Sequence, residues 1–571
     1  MDRRFFVFAS ALAFAAPALS PAVHAKAPAK PVYEKGMVSS ADPRATAAGL
    51  EMLRQGGSAT DAAIATMLAL TVVEPQSSGI GGGGFYVTTD AKGRIETIDG
   101  RETAPAAAHP QWFYKDGRVL SFREAVPGGT SVGVPGNLAL AAKAHRKHGR
   151  LKWSQLFQPA ITLARDGWTI TPRTRQFLDF AKGSAGFTPA GMAMFYDASG
   201  QPLAAGTTVV NPELAKTMDL LARKGAKAFY TGENARAIVA AVNTAPRNPA
   251  PMTLKDVAGY KAKDRAALCG QYREYRICGM GPPSSGETTV YAVLKQLERF
   301  DLTALGPDSP TAWHLIAESM RLAYADRGRY LGDADFVKVP AKGLLDAGYL
   351  ASRSALIDPG KTMAQVVAGT PPGAEKLARA DMPAGPEHGT SHFVAIDRRG
   401  HVVTYTSTVE SAFGSGLMAG GYYLNNELTD FDMVPERDGK PAANRVEAGK
   451  RPRSSMAPTL VFGPDGKLRL AIGAAGGATI PAQVAKSIIA VIDWKMSAQD
   501  AIALPLIFAP EGPTVFVESG TKLEAMIPAL RALGHGDVRT RGGGKANAIE
   551  VVGGALRGGA DPRSDGVAAP E

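Results

Sequence analysis

The sequence reads as an α+β chain in a layered αββα arrangement, with strands stacked centrally and helices outside. Three observations predict it. Residues 105–365 are mostly helical in pattern, as in "WSQLFQPAITLARDGW" and "TAWHLIAESMRLAYADRGRYLGD". From residue 390 onward the pattern changes to short strands punctuated by glycine-rich turns. Between them, residues 366–389, "VVAGTPPGAEKLARADMPAGPEHG", have loop composition and little to bury. The 571 residues are 45% hydrophobic and 20% charged, which is globular composition with ample chain for a core.

The first element is a leader. Arg3 and Arg4 precede an apolar run, and Val23-His24-Ala25 has small residues where a signal peptidase reads them. Residues 1–25 are therefore expected to be a secretory signal rather than an anchor, because Pro17 and Pro21 interrupt the run. The mature protein is expected to be exported, to the periplasm if the host has an outer membrane, with no membrane span of its own. Next, "SADPRATAAGLEMLRQGGSATDAAIATMLALTVVEP" predicts two helices. Asp42 or Ser40 caps the first, with Pro43 in its first turn; Gly56-Gly57 ends it, and Ser58 with Asp61 opens the second.

The glycine run Gly79–Gly84, "GIGGGG", matches a dinucleotide-loop pattern literally, but a helix precedes it and the strand "FYVTTD" follows. A nucleotide loop needs the reverse order. The glycines are expected to allow close backbone packing instead. Further on, "REYRICGMGPPSSGETTVYAVLKQLERF" predicts strand, turn and helix. Cys269 and Cys278, the only two cysteines, fall on alternating residues that could face each other across a hairpin. In an exported protein this leaves a disulfide and two free thiols both open. No fixed-period repeat is present.

Two functional classes are disfavoured by composition. The net charge of +11 is scattered, without a basic block or aromatic interleaving, so nucleic-acid binding is not expected. Two cysteines and nine scattered histidines give no recognisable metal-ligand spacing, and no metal or cofactor is expected.

The strands "SHFVAID" and "HVVTYTST" flank Arg398-Arg399-Gly400. If this is a three-residue loop with Gly400 left-handed, Asp397 pairs with His401 and Thr390 falls opposite Thr408. Such a pair is ordinary on any strand. It acquires chemistry if the chain is cut between Gly389 and Thr390, because a terminal threonine carries its own amine as base for its hydroxyl.

The set "EPQSSGIGGGGF", "DGRETAP", "PPSSG", "GTSHF", "YLNNELTDF", "KRPRSSMAPTLV", "GAAGGATI" and "DPRSDG", in this order over about residues 33 to 566, resembles γ-glutamyltranspeptidase (glutathione hydrolase), a family of N-terminal-nucleophile hydrolases. The resemblance implies a four-layer αββα fold. It also implies self-cleavage before Thr390, giving a large subunit (26–389) and a small one (390–571) that stay together. It makes Thr390 the nucleophile and Thr408 its supporting hydroxyl, with Gly476 and Gly477 as backbone oxyanion donors. Arg101, Ser454 and Ser455 would hold the substrate α-carboxylate, and Glu410, Glu427 and Asp430 its α-ammonium. Substrates would be glutathione and related γ-glutamyl amides, and acceptors water, amino acids or peptides, with no cofactor.

The residue chemistry agrees. A guanidinium fork suits a carboxylate, acids suit an ammonium, and glycines let N–H groups approach an oxyanion. The chain carries Glu410 and Glu427 where some relatives have amides, and Glu287 where a second glycine is more usual. Three acids around one ammonium are expected to raise one another's pKa. Other readings of the same frame are a glutaryl-type β-lactam acylase, a poly-γ-glutamate-processing enzyme and an inactive binding scaffold.

Overall fold

The hairpin turn sets the register of the molecular centre. In the computed structural model, which describes residues 1–2, 32–90, 92–382 and 389–571, Gly400 has φ 79°. Its N–H donates to the Asp397 carbonyl at 2.9 Å, and the Asp397 N–H donates to the His401 carbonyl at 3.0 Å. Pairing then runs from Ile396 opposite Val402 to Ser391 opposite Ser407. Residues 390 and 408 therefore meet at the open end, as the three-residue loop predicts. All but the first two residues of the expected signal, and residues 383–388 of the long loop, lie outside the described residues.

Before that loop the chain supplies β1 (Met37–Ser40), α1 (Pro43–Arg54), α2 (Ala59–Val73), β2 (Gly83–Thr89) and β3 (Ile95–Gly100). It continues with α3 (Asn137–His148), β4 (Lys263–Arg265), β5 (Leu268–Tyr272), β6 (Tyr275–Gly279), α4 (Gly286–Leu297) and α5 (Pro310–Tyr330). After the loop come β7 (Ser391–Ile396), β8 (Val402–Thr408), β9 (Thr459–Phe462), β10 (Leu468–Ala475), α6 (Ile480–Ile492) and α7 (Ala498–Ala503). The last strands are β11 (Lys545–Val552), β12 (Ala555–Ala560) and β13 (Val567–Pro570).

Two antiparallel sheets form the middle, in the orders β13-β1-β7-β8-β2-β3-β4 and β12-β11-β10-β9-β6-β5. Strands β7 and β8 of the first sheet pack on β10 of the second, and β7 also packs on β11. Helices α1, α2 and α3 cover the outer face of the first sheet, and α4, α6 and α7 that of the second, with α5 against α4. This is the four-layer αββα arrangement. Alternation along the strands feeds two cores. Tyr86, Phe393, Ala395, Val403 and Tyr405 face the helices, whereas Phe85, Val87, Val394, Ile396 and Val402 face the second sheet.

Local chemistry sets the ends. Asp42 accepts the Arg44 N–H at 2.8 Å and Pro43 opens α1. Ser58 and Asp61 cap α2 reciprocally, at 2.8 Å and 3.1 Å, worth about 1 kcal/mol. The glycine run meets backbone: a Cβ on Gly82 would lie 1.9 Å from the Thr408 carbonyl oxygen, and one on Gly81 2.0 Å from that of Tyr423. Cys269 and Cys278 sit directly opposite on β5 and β6 and are disulfide-bonded, which closes the alternative of two thiols. Among the described residues no helix is long and apolar enough to cross a membrane.

Candidate active site

Thr390 stands at the entrance of β7, buried, with φ 106°. For a β-branched residue that is strained backbone, costing on the order of 1–3 kcal/mol. Its surroundings hold it there. The Thr390 N–H donates to the Ser77 carbonyl at 3.0 Å, and Lys545 Nζ donates to the Thr390 carbonyl at 3.3 Å. Lys545 is itself paired with Glu74 at 2.7 Å. The Thr390 hydroxyl donates to Thr408 Oγ1 at 3.1 Å, and Thr408 Oγ1 also accepts the Glu410 N–H at 2.8 Å. His392, two residues on, is not a base for this hydroxyl. It lies between the sheets with Thr406 Oγ1 2.9 Å from its Nδ1, and burial lowers its pKa to about 3.

The peptide bond before Thr390 is equally constrained. Gly389 N–H donates to the Glu410 carbonyl, and a Cβ on Gly389 would lie 1.8 Å from that oxygen. The Gly389 carbonyl accepts the Gly476 N–H at 3.4 Å. Gly476 (φ 119°) and Gly477 (φ 58°) form the left-handed corner between β10 and α6, a path that suits residues without a Cβ.

Arg101 emerges at the end of β3 and is buried, so it is no surface ion pair. Its guanidinium donates to the carbonyls of Pro452 at 3.2 Å and Arg453 at 2.9 Å, and to the carboxylates of Glu427 and Asp430. Glu427 and Asp430 belong to one short helical turn, Glu427–Asp430. Glu410 reaches the same pocket and accepts hydrogen bonds from Ser411 Oγ at 2.6 Å and from Asn426. Glu102, absent from the expected set, lies 3.8 Å from Arg101.

Of the three expected acids Glu427 does have a raised pKa, as does its neighbour Glu102, but like charge is not the main reason. Burial comes first and Arg101 opposes it; Glu427 is pushed well above the carboxylate range and Glu102 up to about 8. Repulsion among the acids adds to burial.

Ser454 and Ser455 form the facing wall. Ser454 Oγ accepts the Met456 N–H at 3.1 Å. Ser455 Oγ accepts Arg327 Nη2 at 2.6 Å, so each hydroxyl has a lone pair occupied by a protein donor. All ten expected binding and catalytic residues thus converge, and Arg101, Thr390, Thr408, Glu410, Glu427, Asp430, Ser454, Ser455 and Gly477 line one small pocket. Gly476 and Thr390 border a second, larger cleft, with Arg173, Phe177 and Arg563 on its walls. Sequence reasoning missed Glu102, Arg327, Lys545 and Glu74. Glu102 was findable as the neighbour of Arg101, and Glu74 as the first residue of "EPQSSGIGGGGF"; Arg327 and Lys545 lie outside the quoted motifs.

A family model described as gamma-glutamyltranspeptidase matches residues 45–571. The chain is 38% identical over 513 residues to a glutathione hydrolase proenzyme of Bacillus subtilis (strain 168), covering 88% of this chain and 85% of the relative. It is 34% identical over 542 residues to the acylase ACY 1 proenzyme of Pseudomonas sp. (strain SE83), covering 93% of each. Among solved structures, a cephalosporin acylase from Bacillus halodurans superposes with TM-score 0.82 at 25% identity, covering 98% of this chain and 99% of that one. With the layered fold and the converging motif residues, these matches establish that the chain belongs to the γ-glutamyltranspeptidase family of N-terminal-nucleophile hydrolases.

Proposed function

We propose that the protein is a γ-glutamyl hydrolase/transferase that cuts itself between Gly389 and Thr390 and then uses Thr390 as an acyl carrier. One observation carries the reading: the Thr390 hydroxyl, bonded to Thr408, borders a pocket lined by Glu410, Ser454, Ser455 and an Arg101 guanidinium paired with Glu427 and Asp430.

In the first step Thr390 Oγ attacks the Gly389 carbonyl carbon. The oxyanion forms where the Gly476 N–H already points. The C–N bond breaks, the hydroxyl proton ends on the Thr390 nitrogen, and an ester links Gly389 to Thr390 Oγ. Water hydrolyses the ester, leaving a Gly389 carboxylate and a free Thr390 amine. Relief of the φ 106° strain favours the cut. The resulting subunits are 26–389 and 390–571 if residues 1–25 are removed on export. The site needs no cofactor for either reaction.

In turnover the free amine takes the proton of Thr390 Oγ as the oxygen attacks a γ-glutamyl carbonyl. The Gly476 and Gly477 amides stabilise the oxyanion, an effect worth about 3 kcal/mol per donor. The amine product leaves through the larger cleft, and water or an acceptor amine then takes the acyl group. A γ-glutamyl head carries a carboxylate and an ammonium. Its carboxylate meets Arg101, Ser454 and Ser455, and its ammonium meets Glu410, Glu427 and Asp430, replacing the pairing of Arg101 with Glu427 and Asp430. A glutaryl group lacks the ammonium and would leave those buried acids uncompensated. This favours γ-glutamyl over the acylase reading, although some relatives are named acylases. Glutathione is the proposed physiological donor.

The test is a mass spectrum and an assay. Wild type is expected as fragments divided at 389/390, turning over γ-glutamyl-p-nitroanilide at least about 100-fold faster than glutaryl-p-nitroanilide, the penalty of a charged hydrogen-bond partner left unmade. Thr390→Ala is expected as one inactive chain. Two fragments from that variant, or a preference for the glutaryl substrate, would refute the reading.

A further inference from the structure

The proposed carboxylate site contains serines whose hydroxyl hydrogens could point either way, and something must set that choice. We propose that Arg327 is the positioning residue: it fixes Ser455 as a hydrogen-bond donor into the pocket and so sets recognition of the substrate α-carboxylate without touching the substrate. The inference rests on the γ-glutamyl reading above and extends it to a residue that no sequence motif singled out.

Arg327 is buried on α5, and its Nη2 donates to Ser455 Oγ at 2.6 Å while its Nε donates to Ser285 Oγ at 2.9 Å. A guanidinium has donors only. Ser455 Oγ must therefore accept from it, and the Ser455 proton must go elsewhere; the pocket borders Ser455. A hydroxyl whose oxygen accepts from a cation is also polarised into a stronger donor.

Ser285 completes the clamp. Its hydroxyl and its N–H both donate to the Ser454 carbonyl, each at 2.7 Å. Arg327 thus acts on Ser455 directly and on Ser454 through Ser285. The same face of α5 carries Tyr324, one turn earlier, whose hydroxyl donates to the Ala478 carbonyl just beyond Gly476 and Gly477. One rigid helix therefore braces the serine pair and the glycine corner together, which keeps the carboxylate anchor at a fixed distance from the oxyanion donors.

The prediction is a split between KM and kcat, and non-additivity. Arg327→Met in the processed enzyme is expected to raise KM for γ-glutamyl-p-nitroanilide roughly 10- to 100-fold, the scale of one charge-assisted hydrogen bond, with kcat within about 3-fold. Ser455→Ala is expected to do much the same, and Arg327→Met added to Ser455→Ala to cost little more, because the two act as one unit. Arg327→Lys, which keeps one donor, is expected to recover part of the KM. Fully additive effects, or a loss confined to kcat, would overturn the proposal, as would failure of both Arg327 variants to fold and process, since the residue would then serve folding instead. Failure of the underlying reading looks different: wild type would not turn over the γ-glutamyl substrate, or Arg101→Met would leave KM unchanged.

Discussion

Glu102 sits fully buried beside Arg101, and the proton it holds has a consequence for the proposed substrate binding. An ammonium prefers ionised acids. Glu102, with its pKa pushed up to about 8, must lose a proton before it contributes. Affinity is therefore expected to rise as pH climbs toward about 8, with proton release on binding. Glu102→Gln should flatten the pH dependence of 1/KM; an unchanged profile would exclude Glu102 as its source.

Glu287 is a second buried acid, away from Arg101. Among the described residues neither of its carboxylate oxygens has a hydrogen-bond partner, and burial holds its pKa well above the ordinary value. A raised folded-state pKa gives stability that is complete below the unfolded value and is lost as pH rises toward the folded one. Glu287→Met is thus expected to stabilise the protein by about 1–3 kcal/mol at pH 8 and by less at pH 4.5, read from urea midpoints. Destabilisation at both pH values would show that the acid is held by something else.

Elements explain why the proposed junction would fall where it does. Strands β7 and β8 bring residues 390 and 408 together, and β2 lies on the other side of β8, with Gly83 opposite Thr408. The segment before Thr390 must then pass the Glu410 carbonyl with no room for a side chain, since a Cβ on Gly389 would fall 1.8 Å from that oxygen. Gly389→Ala is expected to displace the peptide bond from the Thr390 hydroxyl and the Gly476 N–H, and to leave an uncut chain on a denaturing gel. Normal processing would mean that the strand entrance yields more readily than its packing suggests.

At the scale of the molecule, neither sheet belongs to one side of the junction. In the first sheet β1, β2, β3 and β4 precede it and β7, β8 and β13 follow it; in the second, β5 and β6 precede and the other four follow. A cut between 389 and 390 would sever one peptide bond and leave every strand pairing in place. The two fragments are expected to co-purify and to unfold in a single transition, because separating them would expose both cores at once. Dissociation in mild buffer, or two well-separated transitions, would contradict this interleaving.

What the sequence determined by itself was local and motif-borne. Helix caps at Asp42 and Ser58, the Gly400 turn and the pairing it imposes follow from short-range rules. The pocket residues of the quoted motifs were legible because each motif carries its own chemistry. Tertiary structure alone decided the rest. Cys269 and Cys278 became a disulfide because the edge strand β5 and its neighbour β6 set them opposite each other. Arg101 became a buried centre of acids rather than a surface ion pair, and Glu102 and Glu427 owe their raised pKa values mainly to lost hydration. Arg327, Lys545 and Glu74 entered the site from segments hundreds of residues apart in some cases. No periodicity or spacing records such meetings, because they depend on how the two sheets and their helices stack, and stacking is fixed by the packing of whole cores.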